Sequence, residues 1–159
     1  MQNRLIAMEN LSELLMLQLE NGGRTRLTVT GCSMQPMLVH HRDVVELIPI
    51  SQKQKAGDLI LYRRKTGEYI LHRIIAEADG GYICCGDNQF VKEPVDHDQL
   101  LAVVDGFVRK GKRYTVEDPG YRLYTAVWVK LFFLRKPYIL VRRCLGRLYN
   151  KIRKRFLKR

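Results

Sequence analysis

The sequence predicts a mainly β chain: a small antiparallel sheet or barrel, with an amphipathic N-terminal helix before it and a basic helical tail after it. Three observations carry this. Between residues 27 and 108, short apolar or alternating runs follow one another, each closed by glycine- and aspartate-type turn material. Residues 1–24 set apolar side chains at helical spacing. From about residue 120 the apolar period becomes three or four residues, and no acid follows Asp118. A chain of 159 residues, 46% of them hydrophobic, can bury the core of one domain.

At the N-terminus, Leu5, Met8, Leu11, Leu15 and Leu19 fall on one helical face, with Glu9, Glu13 and Glu20 between them. This reads as a surface helix that ends at Asn21-Gly22-Gly23. It has the character of neither a signal peptide nor a membrane span.

Strands are expected at 27–30, 44–48, 59–62, 69–76, 81–85 and 100–108. The turns between them include Lys55-Ala56-Gly57-Asp58, Lys65-Thr66-Gly67-Glu68, Asp79-Gly80-Gly81 and Gly86-Asp87-Asn88. Regular short strands of this kind build antiparallel sheets and small barrels. The organisation expected is a helix over 1–24, a β domain over 25–119 and a tail over 120–159.

In the tail, Val127, Leu131, Leu134, Tyr138, Val141, Leu145, Leu148, Ile152 and Phe156 form a helical stripe that Pro137 is expected to break or kink. From Arg109 onward there are 17 Lys/Arg against Glu117 and Asp118, a net of +15; residues 1–108 hold 11 basic and 14 acidic residues, a net of −3. A slightly acidic body therefore carries a strongly basic end, which attracts phosphate-bearing surfaces. The apolar run 123–134 is well short of the roughly 20 residues a membrane span needs. A basic amphipathic helix fits the surface of an anionic membrane instead. The expected place is thus peripheral, on the cytoplasmic side, and removing 138–159 is expected to free the protein from membranes without slowing chemistry on a soluble peptide. Cys32, Cys84, Cys85 and Cys144 show no CxxC or Cys/His metal spacing and read as reduced thiols. Neither a metal nor a cofactor is expected.

Ser33 stands in TGCSMQPM, two residues after Gly31 and three before Pro36. It could be a turn-former, or a nucleophile if a base reaches it. His72, alone among apolar neighbours in the run YILHRII, is a candidate base, although a histidine so placed is more often a satisfied core residue. A neutral imidazole of ordinary pKa would give activity that rises with pH through neutrality.

Four segments in order, Gly31-Cys32-Ser33-Met34-Gln35-Pro36, Ala56-Gly57-Asp58-Leu59-Ile60, Leu71-His72-Arg73-Ile74-Ile75 and Cys85-Gly86-Asp87-Asn88, resemble the signal peptidase I family over roughly residues 25–110. The wider group includes the LexA-type self-cleaving repressors. The resemblance implies a Ser-His endopeptidase that cuts a leader or signal segment of a peptide or protein, with small residues preferred at the first and third positions before the cut. Ser33 would be the nucleophile and His72 the base, at a place where many bacterial members carry lysine. Met34, with Gly31, Cys32 and Pro36, would shape the substrate cleft and oxyanion site. Asp87 would act as scaffold, and Asp96 or Glu93 would orient His72. Where many relatives carry a hydroxyl residue two positions before the nucleophile, this chain has Gly31, so backbone N–H groups including that of Ser33 must hold the oxyanion. Cys32 is the lesser candidate for nucleophile. A LexA-like regulator and a catalytically inactive interaction module are the alternatives. Residues 1–24 are too short for a helix-turn-helix domain, and nucleic acid is not the expected partner.

Overall fold

The structure, a computed structural model, describes residues 17–19 and 23–156. Among these, eight strands form one antiparallel sheet: β1 (Thr25–Thr28), β2 (Val44–Ile48), β3 (Leu59–Arg63), β4 (Tyr69–Ala78), β5 (Gly81–Cys85), β6 (Glu93–Asp96), β7 (Leu100–Arg109) and β8 (Lys112–Thr115). The order is β1-β2-β7-β3-β4-β5-β6, and β8 also pairs with β7. Register shifts interrupt the β2–β7, β3–β7 and β4–β5 ladders. An extra residue on one strand bends it and adds twist, and the sheet curls into a half-barrel.

β3 lies in the middle of the sheet and is apolar on both faces, as its sequence Leu59-Ile60-Leu61-Tyr62 requires. Leu59 and Leu61 join a cluster with Met34, Leu38, Val45, Leu47, Ala102 and Phe107. Ile60 and Tyr62 point to the opposite face and pack with Ile74, Tyr82, Cys84 and Val95. Alternation along a strand produces this division directly. β6 and β8 were not anticipated, because Glu93-Pro94-Val95-Asp96 and Lys112-Arg113-Tyr114-Thr115 have little apolar patterning.

The helical segment begins with α1 (Pro119–Lys130), passes through a 3-10 turn at Phe132–Leu134, and continues as α2 (Arg135–Phe156). Pro119 stands in the first turn of α1, where a missing N–H costs nothing. The same logic corrects the expectation for Pro137. It falls in the first turn of α2 and is accommodated there, while the break comes earlier, at Leu131–Leu134. The predicted stripe is also not the face that packs on the body. Val127, Leu131, Leu134, Tyr138, Val141 and Leu145 are exposed, whereas Tyr121, Arg135 and Ile139 are buried. α1 seats against the Gly57 turn, where φ is +107° and a Cβ would come within 2.6 Å of Thr125.

Leu17–Leu19 are helical, and Leu19 enters the core. Gly23 and Arg24 are not helical, and the rest of the predicted N-terminal helix lies outside the described residues, as do Lys158 and Arg159. Among the described residues no helix is long and apolar enough to cross a membrane.

Candidate active site

Ser33 sits in the loop between β1 and β2. Its backbone is fixed from the other side of the sheet, where the Asn88 N–H donates to the Ser33 carbonyl at 2.7 Å. The Asn88 side-chain amide donates to the Cys32 carbonyl at 3.1 Å, and Gln35 N–H also reaches that carbonyl. Gly31, at φ +83°, donates its N–H to His40 Nδ1 at 2.8 Å, so it is engaged already. The N–H groups of Cys32 and Ser33 make no hydrogen bond within the described residues.

His72 lies on β4 opposite Ile60 of β3 and is 3% exposed. Tyr62 is two residues along β3 from Ile60, hence on the same face. Its hydroxyl lies 3.2 Å from His72 Nδ1 and donates to Glu93 Oε2 at 2.9 Å. Burial and the adjacent carboxylate push the Tyr62 phenol far above its ordinary range, so it keeps its proton. That one proton goes to Glu93, so the Tyr62 oxygen can only accept from His72. Nδ1 therefore carries the imidazole proton, and Nε2 holds the lone pair. Within the described residues Nε2 makes no hydrogen bond, and it is not among the sealed, unpartnered polar atoms, which are Arg109 Nε and Trp128 Nε1.

Arg64 grips Glu93 with two bonds, of 2.5 and 2.8 Å, and holds its carboxyl below the usual carboxylate range. Glu93 Oε2 is 3.9 Å from His72 Nδ1, close enough to act on its charge though too far for a hydrogen bond. Burial lowers the His72 pKa to about 4; Glu93 opposes this and Arg64 adds to it. The imidazole is thus neutral throughout the physiological range. This corrects the expectation of a titration near neutrality: a buried imidazole loses the solvation of its charged form, and one carboxylate 3.9 Å away does not restore it.

Gly86 brings the end of β5 against Ser33. Arg73 pairs with Cys85, the last residue of β5, and Gly86 follows it in the chain. A Cβ built on Gly86 would meet the Ser33 carbonyl oxygen at 2.7 Å and the Ser33 Cβ at 3.0 Å. Gly86 therefore touches Ser33 directly and follows the residue paired with Arg73, the neighbour of His72 in β4. No hydrogen bond joins Ser33 to His72.

The remaining predicted residues separate. Asp87 is fully buried and takes two bonds from Arg73, at 2.9 and 2.8 Å, and one from the Tyr124 hydroxyl at 3.0 Å. It braces the turn and does not bond His72. Asp96 does not face His72 either. It sits at the start of a 3-10 turn (His97–Gln99), pairs with Lys65 at 2.8 Å, and accepts nothing from the imidazole. The carboxylate near His72 is that of Glu93. Met34 is 2% exposed and belongs to the core cluster rather than to a cleft. Pro36 follows a cis peptide bond and offers its carbonyl to Arg109. All four cysteines are free thiols; burial pushes Cys84 up to about 12 and Cys85 up to about 11, far from a reactive thiolate. Among the described residues no His/Cys/Asp/Glu group is arranged to hold a metal ion.

Tyr62 and Arg64 escaped the sequence reading. The signal was present: a tight turn at 64–68 fixes the β3–β4 register, and that register puts Tyr62 diagonal to His72. No protein-family model, curated protein or solved structure matches this chain.

Proposed function

We propose that the protein is a serine endopeptidase in which Ser33 is the nucleophile and His72 the base, acting on an extended segment of a peptide or protein. The observation that carries this reading is the hydrogen bonding around His72 Nδ1, from which its tautomer follows. Glu93 takes the Tyr62 proton, Tyr62 takes the Nδ1 proton, and the lone pair is left on Nε2, while Gly86, in contact with Ser33, follows the residue paired with Arg73 beside His72. A buried histidine serving only the core would not need a carboxylate, an arginine and a phenol arranged to fix its tautomer.

The chemistry is acyl transfer. His72 Nε2 removes the Ser33 hydroxyl proton as Oγ adds to the peptide carbonyl. The oxyanion that forms accepts from the free N–H groups of Cys32 and Ser33. The imidazolium is held by Tyr62 and Glu93 while the tetrahedral adduct collapses, and Nε2–H passes its proton to the leaving amine. Water then adds to the acyl-enzyme, with His72 again the base, and releases the acid and free Ser33. A pKa of about 4 makes His72 a weak base that is always in its active form. The missing Ser33–His72 bond is consistent with a site that tightens on substrate.

The decisive experiment is labelling of the full chain with a fluorophosphonate. Labelling that disappears in Ser33→Ala and in His72→Ala, with the fold retained, supports the reading. Undiminished labelling or peptide cleavage in Ser33→Ala would sink it.

The same reading sets the enzyme at an anionic membrane surface. The exposed stripe of α1 and α2 supports this, as does the run of Lys/Arg with no acid after Asp118. Polybasic segments gain about 1 kcal/mol per basic residue near such a surface. Binding to phosphatidylserine vesicles that weakens with salt, and weakens again in Phe133→Ser, is the expected result. Phe133 is 71% exposed, so its loss should leave stability alone. Stronger binding to DNA than to vesicles at physiological salt would favour a nucleic-acid partner.

A further inference from the structure

We propose that Arg142 of the tail is a positioning residue for the nucleophile, so that α2 completes the active site as well as carrying the basic charge. This inference rests on the peptidase reading above. It starts from the turn Gly86-Asp87-Asn88, which the helical segment grips one residue at a time. Arg135, 2% exposed, donates to the Gly86 carbonyl at 3.2 Å. Tyr124 donates to the Asp87 carboxylate at 3.0 Å. Arg142 Nη2 donates to Asn88 Oδ1 at 2.9 Å.

The third contact is the one that reaches chemistry. A guanidinium can only donate, so it dictates which end of the Asn88 amide faces it. Oδ1 turns toward Arg142, and Nδ2 is thereby aimed at the Cys32 carbonyl, 3.1 Å away. The Asn88 main chain meanwhile holds the Ser33 carbonyl. Asn88 thus fixes the two residues whose N–H groups are free for an oxyanion, and Arg142 fixes Asn88. Rotating that amide by half a turn would present Oδ1 to the Cys32 carbonyl, two acceptors face to face, and push the loop away. Arg142 is half-buried at the margin of the turn, so its role is orientation rather than core support. The tail is therefore not the separable anchor that its composition suggests.

The test uses the full chain with Arg142→Ala, Arg142→Lys and, as a charge-matched control on α1, Arg122→Ala, whose side chain is exposed beside Glu117. With a soluble peptide, Arg142→Ala should lower kcat about 10- to 100-fold with KM little changed, as expected when a nucleophile is misplaced by a fraction of an ångström. Arg142→Lys, still a donor, should recover part of that loss, and Arg122→Ala should lose nothing. Fluorophosphonate labelling of Ser33 should slow in parallel. Independently of activity, the Asn88 side-chain amide signals in a 15N–1H spectrum should shift in Arg142→Ala and stay put in Arg122→Ala. Wild-type kcat in Arg142→Ala, or an unmoved Asn88 amide, would overturn the proposal even with Ser33 labelling intact. If Ser33→Ala itself still labels, the peptidase reading fails instead. Should Arg142→Ala unfold, a wild-type kcat and Asn88 spectrum in Arg142→Gln, a shorter neutral donor that cannot span the gap, would equally overturn it.

Discussion

The buried imidazole of His72 makes stability, and on the proposed mechanism activity, depend on acid in a way that can be calculated. Its pKa is lowered from an ordinary 6.5 to about 4. Between those values the unfolded chain binds a proton that the folded chain refuses, so stability must fall as pH falls. The contribution is fully present above the unfolded pKa. Each pH step of one across this interval removes about 1.4 kcal/mol. Roughly 2 kcal/mol is therefore gone by pH 5, and roughly 3 kcal/mol once pH drops below the folded pKa. Asp43, Glu46 and Glu93 are also held below the carboxylate range and act in the same direction, but only from about 4.5 downward. The interval from pH 6.5 to 5 therefore isolates the histidine. Urea unfolding across that interval should show the slope in the wild type and lose most of it in His72→Gln, and kcat/KM should stay flat down to about pH 5 and fall near 4. An identical slope in both proteins, or half-maximal activity near 6.5, would refute the buried-base argument.

Three further outcomes follow from the same geometry. Gly86→Ala should place a methyl within 2.7 Å of the Ser33 carbonyl oxygen, costing about 1–3 kcal/mol of stability by overpacking and about 100-fold in kcat/KM by moving the proposed nucleophile; near-normal kinetics would show that Ser33 does not sit where the proposed chemistry needs it. Glu93→Gln removes the charge that raises the His72 pKa, so the acid limb of the rate profile should move lower still, with kcat reduced about 10- to 100-fold; a limb that moves up would contradict the assignment. Asp87→Ala leaves Arg73 and Arg135 buried without their carboxylate and should destabilise the fold by about 3–5 kcal/mol, read as a lowered urea midpoint.

Much of the sheet was legible because its strands obey the simple period. β2 and β5 fall within the residues their apolar runs mark, and β3, β4 and β7 overrun theirs by one or two residues. β1 begins two residues early, at Thr25-Arg26, because its outer face needs no apolar residue. β6 and β8 escaped because each carries four residues with charged or proline content, and pairing rather than burial makes them strands. In the site, Ser33 and His72 were visible as residue types in a recognisable order. Their partners were not: Glu93 and Asp96 are both acids near the same turn, and only the β5–β6 register, with Cys84 opposite Glu93, decides which faces the imidazole. The grip of Tyr124, Arg135 and Arg142 on the turn spans 37 to 54 residues of chain and leaves no local pattern.

Both ends of the sheet path are blunt. β1 ends it with four residues, among them Arg26, two residues after Arg24; β6 ends it at the other side with four more, Glu93 to Asp96, where Pro94 has no N–H to offer. A neighbouring molecule finds no long ladder to extend there. Aggregation of the purified protein should therefore not begin by strand addition. It should begin at the apolar crest around Phe133 and Leu134, where the net charge of +15 from Arg109 onward keeps copies apart only while salt is low. Storage at low ionic strength, or with a zwitterionic detergent over that crest, would keep this protein monodisperse.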